Sequence, residues 1–290
     1  MRSQSKRALF LFGAFAVLSY CTPVLVAHCD SGSVCTCPDC PINRSYKQSR
    51  WTIVETENFQ ICCDDSKVTA ESLAKHAECL RSELQRKWFG KVRDQAWSPK
   101  CQIVLHAKVS TYVSAVGRGS ERTVGSSLIK VDDGKILSRK IDLLKRNNDF
   151  LSAALPHELT HVVLKERFAK TLIPRWADEG IAILADPVAK QGRHKTDLKN
   201  ALSRATTFQA AALLNLEDYP APDRFGVFYG QSASLAAFLI NRKSPEEFIE
   251  FVERATLTGY DAALKSCYDI SNVRELDRKW RENLALDSAS

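Results

Sequence analysis

The chain changes character near residue 146. Before it, short runs alternate apolar with polar residues; after it, apolar residues recur at helical spacing almost to the end. "WTIVET" and "NFQICC" flank a short polar turn and predict a β-hairpin. "AESLAKHAECLRSELQRKWFG" sets Leu73, Ala77, Leu80, Leu84 and Trp88 on one stripe, stopped by Gly90. "CQIVLHA" predicts a buried strand and "VSTYVSAVG" a short helix. "TVGSSLIKV" and "ILSRKIDLL" predict a second hairpin turning at Asp133-Gly134. Beyond Asn148, helices are expected over 174–186, 196–215, 225–242, 244–256, 260–268 and 271–285. Strands first and helices afterwards, around one core, predict an α+β domain over 51–286. Its β-rich lobe, a mixed or antiparallel sheet with helices, runs over about 51–146, and its helical lobe over about 147–286.

Residues 1–27 stand apart from that domain. Arg2, Lys6 and Arg7 precede the apolar run "ALFLFGAFAVLSYC", and Ala27 closes a small-residue cleavage site, the layout of a secretory signal peptide. Export is therefore expected, to the medium, periplasm or cell envelope, with no transmembrane segment in the mature chain. Lipid anchoring through Cys21 is the lesser alternative, because bulky Tyr20 precedes it. The net charge of +7 includes those three leader residues, and the remainder is too diffuse to indicate nucleic acid. The runs "KQGRHK" and "LSRKIDLLKR" read as solvated faces.

Ten cysteines suit an oxidising compartment. Cys29, Cys35, Cys37 and Cys40 crowd the segment 28–50, where two short-range disulfides are expected and a second metal site is the alternative. A polar linker, "PINRSYKQSR", follows, and the folded body is expected to begin at Trp51. Cys62, Cys63, Cys79, Cys101 and Cys267 are an odd remainder. His76 and His106 read as structural.

The chemistry concentrates in "LPHELTHVVL". On a helix opened by Pro156, His157 and His161 share a face and can offer two imidazole nitrogens to one ion. Glu158 projects about 100° round from His157, beside such an ion, where it can act as a base toward water. A catalytic zinc ordinarily takes a third protein ligand and keeps one position open. Glu179, in "IPRWADEGIAILADP", is the candidate, with Asp178 as rival. Gly180 in that helix is costly unless another backbone comes close. The alternative is an amphipathic core helix with incidental polar residues.

"HELTH" followed by "WADEGIA" resembles the gluzincin metallopeptidases, the superfamily of thermolysin and the zinc aminopeptidases. The nearest resemblance is to small secreted bacterial proteins of the peptidase-MA-like group, through "LP" before the zinc helix, "FYGQSASLAAFLINR" and "ELDRKWRENL". It spans about residues 51–285 and is specific at the zinc helices. The resemblance implies a zincin-like fold with the active-site helix between two lobes. It implies one catalytic Zn2+ on His157, His161 and Glu179, Glu158 as general base and proton shuttle, and Tyr229 as hydrogen-bond donor to the reaction's oxyanion. Tyr229 also reads as a core tyrosine at a helix start. His194 is the lesser candidate for that donor and is expected to face solvent. The hairpin ahead of the zinc helix resembles the edge strand on which such enzymes lay an extended peptide.

The implied function is an exported zinc endopeptidase acting on peptide or protein substrates. A catalytically inactive zincin-fold binding or scaffold protein at the cell envelope is the alternative. Two departures narrow this. The Gly-x-Met-x-Asn motif that grips a substrate's amino end is absent, the only methionine being Met1, so aminopeptidase action is not expected. The aspartate that the thermolysin branch carries four residues after its third ligand is replaced by Ile183; Asp178 and Asp186 remain as candidates to orient a histidine.

Overall fold

A computed structural model describes residues 40–64, 66–146 and 150–287. The expected signal peptide, with Cys29, Cys35 and Cys37, lies outside them. The fold is mixed α+β. Among the described residues, six strands form one mixed sheet: β1 (Arg44–Gln48), β2 (Trp51–Glu55), β3 (Phe59–Cys63), β4 (Cys101–His106), β5 (Gly125–Asp132) and β6 (Lys135–Leu144), in the order β1-β2-β3-β4-β6-β5. β4 runs parallel to both β3 and β6, and the remaining neighbours are antiparallel. β1 lies inside the expected linker. Its polar residues have an edge position, where one row of main-chain groups pairs with β2 and little is buried.

Helix α1 (Lys67–Phe89) makes the crossover from β3 to β4. The Ser66 hydroxyl accepts the Thr69 amide at its start, and Gly90 ends it in the left-handed region at φ 73°. Its stripe of Leu73, Ala77, Leu84 and Trp88 is buried against the sheet. A short α2 (Val109–Val116) follows β4. β5 and β6 then form the expected hairpin, with Asp133 (φ 43°) and Gly134 (φ 70°) supplying the two positive dihedrals of its tight turn.

One π-helical turn, Phe150–Ala154, leads into α3 (Leu155–Arg167), where Pro156 sits in the first turn and lacks a donor that would go unused. Leu155, Leu159, Val162 and Val163 bury one face of α3. Its far end is tied down by Glu166, which accepts hydrogen bonds from Gln85 Nε2 (2.9 Å) and Trp97 Nε1. The Trp97 ring in turn contacts the guanidinium groups of Arg81 and Arg139, each 4.8 Å away. Arg139, expected on a solvated face, is buried instead, and its Nη1 donates to the Pro99 carbonyl at 2.6 Å.

The helical half continues through α4 (Arg175–Ile183), α5 (Val188–Ser203), α6 (Ala210–Leu214), α7 (Phe225–Arg242), α8 (Pro245–Thr258), α9 (Tyr260–Tyr268) and α10 (Val273–Asp287). The single helix expected over 196–215 is two, divided near Ala205, which takes φ 54°. α4 is held by Trp176, fully buried, whose Nε1 donates to Tyr260 Oη at 2.9 Å. Across from it, α7 approaches so closely that a Cβ at Gly180 would stand 2.6 Å from the Ser232 carbonyl oxygen. No described helix is long and apolar enough to cross a membrane. No disulfide joins two described cysteines, and Cys101 is fully buried, which pushes its thiol pKa up.

Candidate metal centre

α3 and α4 meet with their polar faces turned to one another. His157 and His161 sit one turn apart on α3, ring centroids 5.1 Å apart, and Glu179 reaches them from the second turn of α4. One ligand atom from each of the three lies within 4.8 Å of the others. Glu179 is buried, its Oε2 3.7 Å from His157 Nε2. A tetrahedral ion with bonds of about 2.1 Å would set its ligand atoms roughly 3.4 Å apart, so small side-chain adjustments bring the trio to bonding distance.

The remaining ring nitrogens have carboxylate neighbours. His161 Nδ1 and Asp178 Oδ1 are hydrogen-bonded at 2.8 Å. His157 Nδ1 lies 3.3 Å from Asp186 Oδ1, an ion-pair distance without hydrogen-bond alignment. Asp186 is itself buried and receives Lys190 Nζ at 2.9 Å. Neighbouring residues on α4 thus take different parts, Asp178 behind one histidine and Glu179 in front of the pair. Both aspartates that the sequence left open as orienting groups lie beside a histidine, one each. Burial works against a charged His161, but the charge and hydrogen bond of Asp178, then Glu179 and Glu158, outweigh it and raise its pKa to about 10.

Glu158 lies on the flank of α3 that faces β5. A Cβ at Gly125, the first residue of β5, would stand 2.8 Å from Glu158 Cγ and Oε1, so the glycine makes the room that this carboxylate uses.

The tyrosines divide. Tyr229, in the second turn of α7, is half-buried, and its hydroxyl makes no hydrogen bond among the described residues. Burial, then the charges of Glu179 and Glu158, raise its pKa, so it stays a protonated donor beside the site. Tyr219, in the loop after α6, is a site residue that the sequence pattern does not reveal: its hydroxyl donates to Glu179 Oε1. Nothing in the local pattern marks it, since it belongs to no periodic segment. His194 does not face solvent but is half-buried, its ring 5.7 Å from that of Tyr229, and burial lowers its pKa.

No family model matches the chain, and no curated protein matches it. Away from the site, His106 is buried with its Nε2 2.8 Å from Asp142 Oδ1, a structural pair between β4 and β6.

Proposed function

We propose that the chain is an exported, zinc-dependent metallopeptidase of gluzincin type, acting as an endopeptidase. The observation that carries this reading is the convergence of His157, His161 and Glu179, with a carboxylate behind each imidazole and Glu158 alongside. Two imidazoles and one carboxylate suit zinc, and neither a cysteine nor a shell of oxygens is present in the group to favour another class of metal. Export rests on the sequence of residues 1–27 alone.

A zinc ion held by these three residues would supply Lewis acidity and lower the pKa of water toward about 7. Glu158 takes a proton from the attacking water and passes it to the leaving amine nitrogen. Tyr229 donates to the carbonyl oxygen as negative charge develops on it. β5 is the edge strand beside α3, and its outer main-chain groups can pair with an extended peptide laid along it.

The test is metal content and peptide cleavage on the chain from residue 28. About one zinc per chain is expected, lost in His161→Ala and Glu179→Ala. Glu158→Gln should keep the zinc and lose hydrolysis. Hydrolysis that survives in Glu158→Gln removes Glu158 as the base. Bound zinc without cleavage of any peptide in a broad library favours the inactive scaffold instead.

A further inference from the structure

Tyr219 is an odd residue for a loop. The residue is 39% exposed, yet its hydroxyl reaches in to a buried carboxylate. Its ring is clamped by the helix it serves: the Arg175 guanidinium, at the start of α4, lies 4.4 Å from the ring centroid. Arg175 also reaches the neighbouring Asp218, Nη2 to Oδ1 3.9 Å. Phe225 and Phe228 stand at its other edges, each with ring centroids 6.0 Å away. A tyrosine placed only to cover apolar surface would need none of the hydroxyl geometry.

The consequence falls on the two oxygens of Glu179. Oε1 accepts the Tyr219 hydroxyl, while Oε2 is the oxygen turned toward His157 Nε2. A carboxylate can give a metal one oxygen or both. Two histidines, one oxygen and a water make a four-coordinate ion, whereas two histidines, both oxygens and that water make a five-coordinate one. A phenol hydrogen bond to a carboxylate is charge-assisted and directional, and it competes for Oε1.

We propose that Tyr219 is a positioning residue that confines Glu179 to a single metal-binding oxygen and so holds the ion, with its water, at four-coordinate. This rests on the metal reading above. Tyr219 does not donate to substrate in this scheme, because its proton is already committed. That separates it from Tyr229, whose hydroxyl is unengaged.

The test is Tyr219→Phe, which removes only the hydroxyl and keeps the ring against Arg175 and the two phenylalanines. The probe is cobalt(II) substituted for zinc, because its visible spectrum reports coordination number. The unsubstituted chain should give the intense absorption of a four-coordinate ion. The folded variant should give the weak absorption of a five-coordinate one, with zinc bound about 10–100-fold less tightly by chelator competition. Thermal unfolding of the metal-free chains checks that the variant folds. If it does not, Tyr219→Trp keeps an aromatic face for Arg175 without a donor at the phenol position and is read the same way. An unchanged spectrum and affinity in a folded variant overturn the role of Tyr219 while leaving the metal site standing. A parent chain that takes up neither zinc nor cobalt overturns the metal reading, and this inference with it.

Discussion

His161 Nδ1 and Asp178 Oδ1 stand 2.8 Å apart, on different helices. The bond fixes the ring so that Nε2 is the nitrogen left for the shared point between His157 and Glu179. It also joins α3 to α4 beside the Glu179 carboxylate. Asp178→Asn keeps the side chain's shape and a possible hydrogen bond but removes the charge. Zinc affinity should fall about 10–100-fold, measured by competition with a chromophoric chelator, with folding intact. Asp186→Asn should act in the same direction through His157. A variant pair with parental affinity would mean that neither carboxylate supports its histidine.

Gly180 tests how closely α4 must seat on α7. A methyl group there would stand 2.6 Å from the Ser232 carbonyl oxygen and 3.2 Å from the Ala236 methyl. Backbone cannot yield as a flexible side chain can, so the helices must separate. Gly180→Ala should cost about 1–3 kcal/mol in urea unfolding. Because Glu179 is the preceding residue, metal affinity should fall with it. An unfolding midpoint equal to the parent's would show that the two helices have room for a methyl group at this crossing.

Much of this arrangement is legible in the residues, for identifiable reasons. The spacing of His157 and His161 needs only a helix to become a pair, and Pro156 marks where that helix begins. Gly180 is the residue that betrays a close helix crossing, and the crossing is what turns Glu179 inward. Tyr219 is different. It follows a helix of five residues and belongs to a loop, so no period places its side chain, and only the fold brings it to a carboxylate 40 positions earlier. The strand at 44–48 escapes for a related reason: "RSYKQ" is polar, and an edge strand can be stabilised by pairing without an apolar face. The break between α5 and α6 carries neither glycine nor proline; Ala205 adopts a positive φ that its own chemistry does not favour.

His76 predicts a pH dependence of stability. It is buried in α1, and burial lowers its pKa below the usual 6.5, partly offset by a hydrogen bond with the Leu151 backbone. The folded state therefore holds the ring neutral, while the unfolded chain takes up a proton as pH falls through about 6.5. More protons are bound unfolded, so this contribution is complete above pH of about 6.5 and is lost as pH falls toward the folded value. Denaturation midpoints should decline over that window. In His76→Gln the decline should be shallower, and an identical slope in parent and variant would assign the effect to other groups.

Gly125 offers the sharpest separation of activity from stability. Its backbone lies in an ordinary strand conformation, so alanine is tolerated there by the chain itself. The added methyl would instead meet Glu158, at 2.8 Å from both Cγ and Oε1. Both atoms belong to one flexible side chain, which clears the methyl by turning about its Cα–Cβ bond. Unfolding free energy should therefore change by no more than about 0.5 kcal/mol. The base, however, is displaced by something like an ångström, a misplacement that can cost on the order of a hundredfold in rate. Gly125→Ala should bind one zinc with parental affinity, unfold at the parental midpoint and cleave peptide far more slowly, with the loss in kcat rather than KM. Parental kcat in this variant would place the working carboxylate somewhere other than against β5.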